Sequence, residues 1–154
     1  MNNETKHQGS CFCGDVKFTV TGKPEAMAYC HCDSCRNWSA GPISAFTLWK
    51  PSTLKITQGL DNIAGFDKNP IGKDKTVVSN RVWCKTCGGH LYTDHPTMGL
   101  IDVPAVTIKD FNFTPAFHVH YQESVHKMND GLPKFKDLPI EAGGSGIKLS
   151  ESFV

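Results

Sequence analysis

The chain has 154 residues, 39% of them hydrophobic and 20% charged, and a formal charge of +1 with neutral histidines. This is the size and composition of one ordinary globular domain with a single core, which excludes a disordered chain. No apolar run approaches the ~18 residues of a membrane span, and a charge near zero leaves no electrostatic footprint for nucleic acid.

Residues 1–10, MNNETKHQGS, are polar and lack the apolar centre of a secretory signal, so a cytoplasmic location is expected. Reducing conditions disfavour disulfides, and seven cysteines cannot all pair, so the cysteines read as metal ligands or reactive thiols. If all seven ionise around two zinc ions the formal charge becomes 1 − 7 + 4, or about −2.

Short alternating runs between turn residues favour β structure. In the run at 15–20, Val16, Phe18 and Val20 share one face while Lys17 and Thr19 take the other. Residues 43–49, 54–57, 76–83 and 117–121 are further predicted strands. One helix of two turns or fewer is predicted after Cys32, with Asp33 or Ser34 as its cap and Cys35 and Arg36 on its first turns. Nine prolines leave little room for a longer one. Residues 67–75 read as a polar loop and the glycine run at 143–146 as the start of a flexible tail, which gives a domain over 9–139 and a tail over 140–154.

Three cysteine clusters interrupt this pattern: Cys11-Phe12-Cys13, then Cys30-His31-Cys32-Asp33-Ser34-Cys35, then Cys84-Lys85-Thr86-Cys87. Zinc takes thiolate sulfur at about 2.3 Å in tetrahedral geometry, so a closed site needs two cysteine pairs. Cys84 and Cys87, followed by Gly88 and Gly89, form one knuckle. Cys11 and Cys13, followed by Gly14, form the natural second half, because each pair borders a strand. Cys30, Cys32 and Cys35 remain as a separate group of three, the pattern of a metal site with one exchangeable position. A substrate thiol there would be held as thiolate, whereas bound water would have its pKa lowered toward about 7 and favour hydrolysis. A histidine completing the second site would instead make it structural. His31 lies between two cysteines and is expected to point away from them, since ligands on both sides would strain the chain.

Weaker candidates accompany the cysteines. His118 and His120 alternate along a predicted strand and form a candidate proton-transfer pair, against a solvated strand face as the simpler reading. Arg36 and Lys50 are candidates for holding a substrate carboxylate, and Trp38, Phe46, Trp49 and Phe66 for lining a pocket, although surface charge and core packing are the defaults.

Gly9-Ser10-Cys11-x-Cys13-Gly14, Cys30-His31-Cys32-x-x-Cys35-Arg36 and Cys84-x-x-Cys87-Gly88 occur in one order, with Pro115-Ala116-Phe117-His118-Val119 and Asp130-Gly131-Leu132-Pro133-Lys134-Phe135 later. The set resembles the glutathione-dependent formaldehyde-activating enzyme family, whose domain is shared with centromere protein V. The resemblance implies a mainly β fold of small stacked antiparallel sheets around two zinc sites. It implies structural zinc at Cys11, Cys13, Cys84 and Cys87, and catalytic zinc at Cys30, Cys32 and Cys35. The implied reaction is that of a carbon-sulfur lyase or thiol-aldehyde adduct synthase, joining a small thiol such as glutathione to formaldehyde or a related aldehyde. The alternative is a zinc-stabilised binding module without catalysis, and a zinc-ribbon nucleic-acid binder fits the charge poorly.

Overall fold

A computed structural model of the chain describes residues 4–67 and 79–150. Most of the predicted loop at 67–75, and residues 76–78 of the predicted strand at 76–83, lie outside the described residues. Ten strands and one α-helix are found among the described residues. In chain order they are β1 (Lys6–Ser10), β2 (Lys17–Thr21), β3 (Ala26–Cys30), α1 (Asp33–Ser39), β4 (Ser44–Trp49), β5 (Leu54–Gln58), β6 (Ile63–Asp67), β7 (Asn80–Cys84), β8 (His90–His95), β9 (Leu100–Pro104) and β10 (Phe117–Val119). No helix among the described residues is long and apolar enough to cross a membrane.

These elements form two compact units, Met1–Glu25 with Thr47–Asn112, and Ala26–Phe46 with Phe113–Val154. In the first unit β1, β2 and β5 make an antiparallel sheet with β2 at its centre. A second antiparallel ladder runs β9-β8-β7-β6. The alternation of β2 buries Phe18 and Val20, and with Val16 they pack in one cluster with Trp49, Val82, Leu91, Ile101 and Val103. Each such fully buried side chain contributes on the order of 1.5–3 kcal/mol. Polar groups inside this core are satisfied in series: the Trp49 indole donates to Thr47 Oγ1 at 2.7 Å, and that hydroxyl donates to the Val103 carbonyl at 2.8 Å.

Gly59 turns the chain after β5 with φ of 76°, and a Cβ there would collide with the Asp15 carbonyl. Both effects oppose any side chain, so Gly59→Ala is expected to lower stability by about 1–3 kcal/mol. Chemical denaturation checks this, and an unchanged midpoint would refute it.

In the second unit β10 runs parallel to β3, pairing Phe117 with Ala28, His118 with Tyr29 and Val119 with Cys30. A further parallel bridge joins His118 to Lys134, whereas the two ladders of the first unit are antiparallel. The helix after Cys32 is present and spans seven residues, but its cap is neither Asp33 nor Ser34. Cys32 itself is the N-cap, its sulfur accepting the Cys35 N–H at 3.3 Å, while the Asp33 N–H donates to Glu123 Oε2 at 2.6 Å. Ala40 ends the helix in the left-handed region with φ of 52°.

The glycine run at 143–146 is tied into the unit. Asp137 Oδ1 accepts from the Ser145 N–H and hydroxyl, the Gly144 N–H donates to the Pro139 carbonyl, and the Leu149 N–H donates to the Lys134 carbonyl. Composition alone reads that run as flexible; its backbone partners hold it in place.

Candidate metal centres

The Cys11–Cys13 turn lies between β1 and β2, and the Cys84–Cys87 turn between β7 and β8. In the first, the Cys11 N–H donates to the Val16 carbonyl and the Val16 N–H donates to Cys11 Sγ at 3.3 Å, with Gly14 at φ of 83° completing the turn. In the second, the Gly88 N–H donates to the Cys84 carbonyl and the Gly89 N–H to Cys87 Sγ at 3.3 Å. A Cβ on Gly89 would press on the Phe12 amide and the Cys87 sulfur, so glycine allows the two turns to approach. All four sulfurs lie within 4.8 Å of one another. Cys11 and Cys13 are 3.6 Å apart and Cys13 and Cys84 3.9 Å, which brackets the edge of about 3.8 Å of a tetrahedron with 2.3 Å metal–sulfur bonds. The donor set therefore fits a thiolate-bound metal ion. Amide donors prepare the charge: the Cys13 and Gly89 N–H groups bring the Cys87 thiol down to about 6.

Cys30, Cys32 and Cys35 form the other group, within the second unit, their sulfurs also within 4.8 Å of one another. Cys30 ends β3 and is buried, whereas Cys32 and Cys35, at the cap and in the first turn of α1, are half-buried. No fourth histidine, cysteine or carboxylate joins this group among the described residues. Hydrogen bonds from Cys30 and Cys35 favour the thiolate of Cys32 and bring it down to about 2, while the Cys32 and Cys35 sulfurs and burial push Cys30 up.

The weaker candidates separate. His118 and His120 do not share a strand face, because β10 ends at Val119 and His120 takes φ of 53°. His118 is fully buried and hydrogen-bonded to His31 and Asp130, while His120 faces Glu123 at 3.8 Å. His31 is bonded through Nε2 to His118 and lies outside the group of three sulfurs. Arg36 Nε donates to the His31 carbonyl at 3.0 Å, and Lys50 pairs with Glu25 at 3.6 Å. Trp49 and Phe66 lie in the first unit, buried and exposed respectively, and Trp38 and Phe46 in the second. These four aromatics therefore do not line one pocket within either unit. Asp130 and Lys134 enter the sequence reading as part of the motif at 130–135 and Tyr121 as the end of a predicted strand, none of them with a role at a site. The spacing of a carboxylate and a lysine four apart does not by itself say that they meet a buried histidine.

A family model described as glutathione-dependent formaldehyde-activating enzyme matches residues 6–123. A curated relative, an uncharacterized lyase of Schizosaccharomyces pombe, is 23% identical over 87 residues, which are 56% of this chain and 56% of that protein. The chain thus spans about half the length of that relative. The crystal structure of a Rhodobacter sphaeroides protein is similar with a TM-score of 0.50 and 22% identity, over 68% of this chain and 90% of that one. That likeness is one of fold.

Proposed function

The chain belongs to the glutathione-dependent formaldehyde-activating enzyme family, and on that premise we propose that it is a zinc-dependent carbon-sulfur lyase that adds a small thiol to an aldehyde, with glutathione and formaldehyde as the first pair to try. Cys11, Cys13, Cys84 and Cys87 are assigned to a structural zinc, and Cys30, Cys32 and Cys35 to a catalytic one. The observation that carries the reading is the absence of a fourth donor beside the second group among the described residues. A zinc ion held there supplies positive charge that keeps an incoming thiol ionised at neutral pH. The name lyase borne by the Schizosaccharomyces pombe relative supports the same class.

The residues have separable tasks. Cys30, buried at the end of β3, is the fixed anchor. Cys32 is the ligand assigned to make way for the substrate sulfur, because its thiolate keeps a partner when it withdraws, namely the Cys35 N–H. Holding thiol and aldehyde together converts a bimolecular encounter into an oriented one. The thiol sulfur forms a bond to the carbonyl carbon, the carbon–oxygen π bond breaks, and the thiol proton ends on the new hydroxyl; the reverse path regenerates both reactants.

Formation of the S-hydroxymethyl adduct from glutathione and formaldehyde, followed by NMR against a protein-free control, tests the reading. Acceleration is expected, together with two zinc ions per chain, one of them lost to chelator. Two ions that both resist chelator, with no acceleration for any of several thiols, would refute it.

A further inference from the structure

Four polar side chains of the second unit form a chain that the cysteines do not use, buried at His31, His118 and Lys134 and reaching solvent at Asp130. Lys134 Nζ donates to Asp130 Oδ1 at 3.0 Å, Asp130 Oδ2 accepts from His118 Nε2 at 2.8 Å, and His118 Nδ1 meets His31 Nε2 at 2.9 Å. His31 and His118 are 0% exposed and Lys134 is 2% exposed. Tyr29 stacks on His118 at 5.1 Å, and Tyr121 meets His31 edge-on at 4.6 Å. Lys134 also donates to the Leu132 carbonyl at 3.0 Å. A buried polar network of this kind is costly unless its members are satisfied, and when satisfied it specifies one arrangement more sharply than an apolar core does.

The order of protons follows from the donors. An ionised carboxylate only accepts, so His118 carries its hydrogen on Nε2. Burial opposes ionisation of Asp130, but the hydrogen bonds from Lys134, His118 and the Leu132 N–H together bring it down to about 2. Burial also holds His118 below the ordinary imidazole value, so its Nδ1 accepts and His31 Nε2 must donate. That leaves His31 Nδ1 with a bare lone pair. Among the described residues it is the buried side-chain polar atom without a hydrogen-bond partner. The backbone of His31 is held at both ends, its N–H donating to the Val119 carbonyl at 3.1 Å and its carbonyl accepting from Arg36 Nε at 3.0 Å.

We propose that Asp130 is a positioning residue for the three-thiolate group: relayed through His118, its carboxylate sets the tautomer and orientation of His31, and with them the spacing of Cys30 from Cys32. The inference rests on the reading that this group holds the reactive ion. It gives a task to the buried histidines and to the segment carrying Asp130 and Lys134.

The test compares the zinc-loaded full chain with Asp130→Asn. In the variant the amide oxygen can accept from Lys134, which leaves the amide NH2 facing His118 Nε2 and reverses both tautomers with every partner retained. Imidazole nitrogen NMR is expected to show hydrogen on Nε2 of His31 and His118 in the natural chain and on Nδ1 in the variant. Zinc affinity of the second group is expected to fall on the order of 10–100-fold, as for outer partners of other metal sites, with the four-cysteine site unchanged. A hydrogen on His31 Nδ1 in the natural chain would overturn the proposal without any variant. So would a reversed tautomer in Asp130→Asn with unaltered affinity. If the natural chain binds no ion at the second group, the functional reading falls and takes this inference with it, a result seen before any substitution is made.

Discussion

Cys84→Ser is expected to cost the first unit its fold as well as the zinc we assign to its four cysteines. Cys84 is fully buried in the same cluster as Phe18, Trp49 and Leu91, and its sulfur lies 3.9 Å from Cys13 Sγ. A structural zinc in a small domain supplies on the order of 10 kcal/mol or more. The whole stability of a domain is about 5–15 kcal/mol, so little margin survives its loss. The serine hydroxyl is a poor zinc ligand, and three thiols would then crowd together without a counter-charge. The far-ultraviolet circular dichroism of Cys84→Ser should match that of the natural chain stripped of both ions by a strong chelator. A folded spectrum and an unchanged denaturation midpoint in the metal-free variant would show that the ion is incidental to this unit.

What the sequence could convey depended on the range of the interactions involved. The two pairs Cys11–Cys13 and Cys84–Cys87 are local signatures, since each turn supplies two sulfurs and its own amide donors. Their meeting is expected because each pair sits in a turn between strands, and the third cluster supplies three sulfurs of its own. The strand β2 was equally plain, because Val16, Phe18 and Val20 alternate with polar residues. In contrast β3 reads AMAYC, evenly apolar, and β9 reads LIDVP, with Asp102 its one charged residue; both runs are too short to show a period. They are strands because of their neighbours. The parallel pairing of β10 with β3 joins residues about 90 positions apart, and no local pattern announces such a crossover.

The same limit hid the network around His31. The sequence places His31 away from the cysteines without saying what it meets instead, and His118 on a short strand reads as exposed. Both are buried because each satisfies the other, across 87 residues of chain, and because Asp130 and Lys134 close the series. Polar residues obey the rule that buried groups find partners, but sequence spacing does not say which partners. The cap of α1 is a subtler case. Asp33 is a better capping residue than cysteine by preference, yet Cys32 takes the position, so that one sulfur both ends the preceding loop and faces the other two.

That double duty of Cys32 sets up the sharpest experiment on the proposed chemistry. Serine caps helices well, so Cys32→Ser should keep α1 intact while deleting a thiolate; Cys32→Ala should lose the cap too, at a further cost of about 1 kcal/mol. Both variants are expected to lower the rate of adduct formation by more than about 100-fold, since a direct ligand should matter at least as much as an outer partner. Cys35→Ser should do the same. The three differ once thiol is present. If Cys32 is the ligand that gives way, saturating thiol fills the place its sulfur would have left, and Cys32→Ser should then retain zinc at the second group nearly as well as the natural chain. Cys35→Ser should not, because its missing sulfur is one that must stay. Zinc release measured with a chromogenic chelator, with and without thiol, reads the difference directly. Equal protection of both variants by thiol would remove Cys32 from that role and make the leaving ligand a property of the group, not of its helix cap.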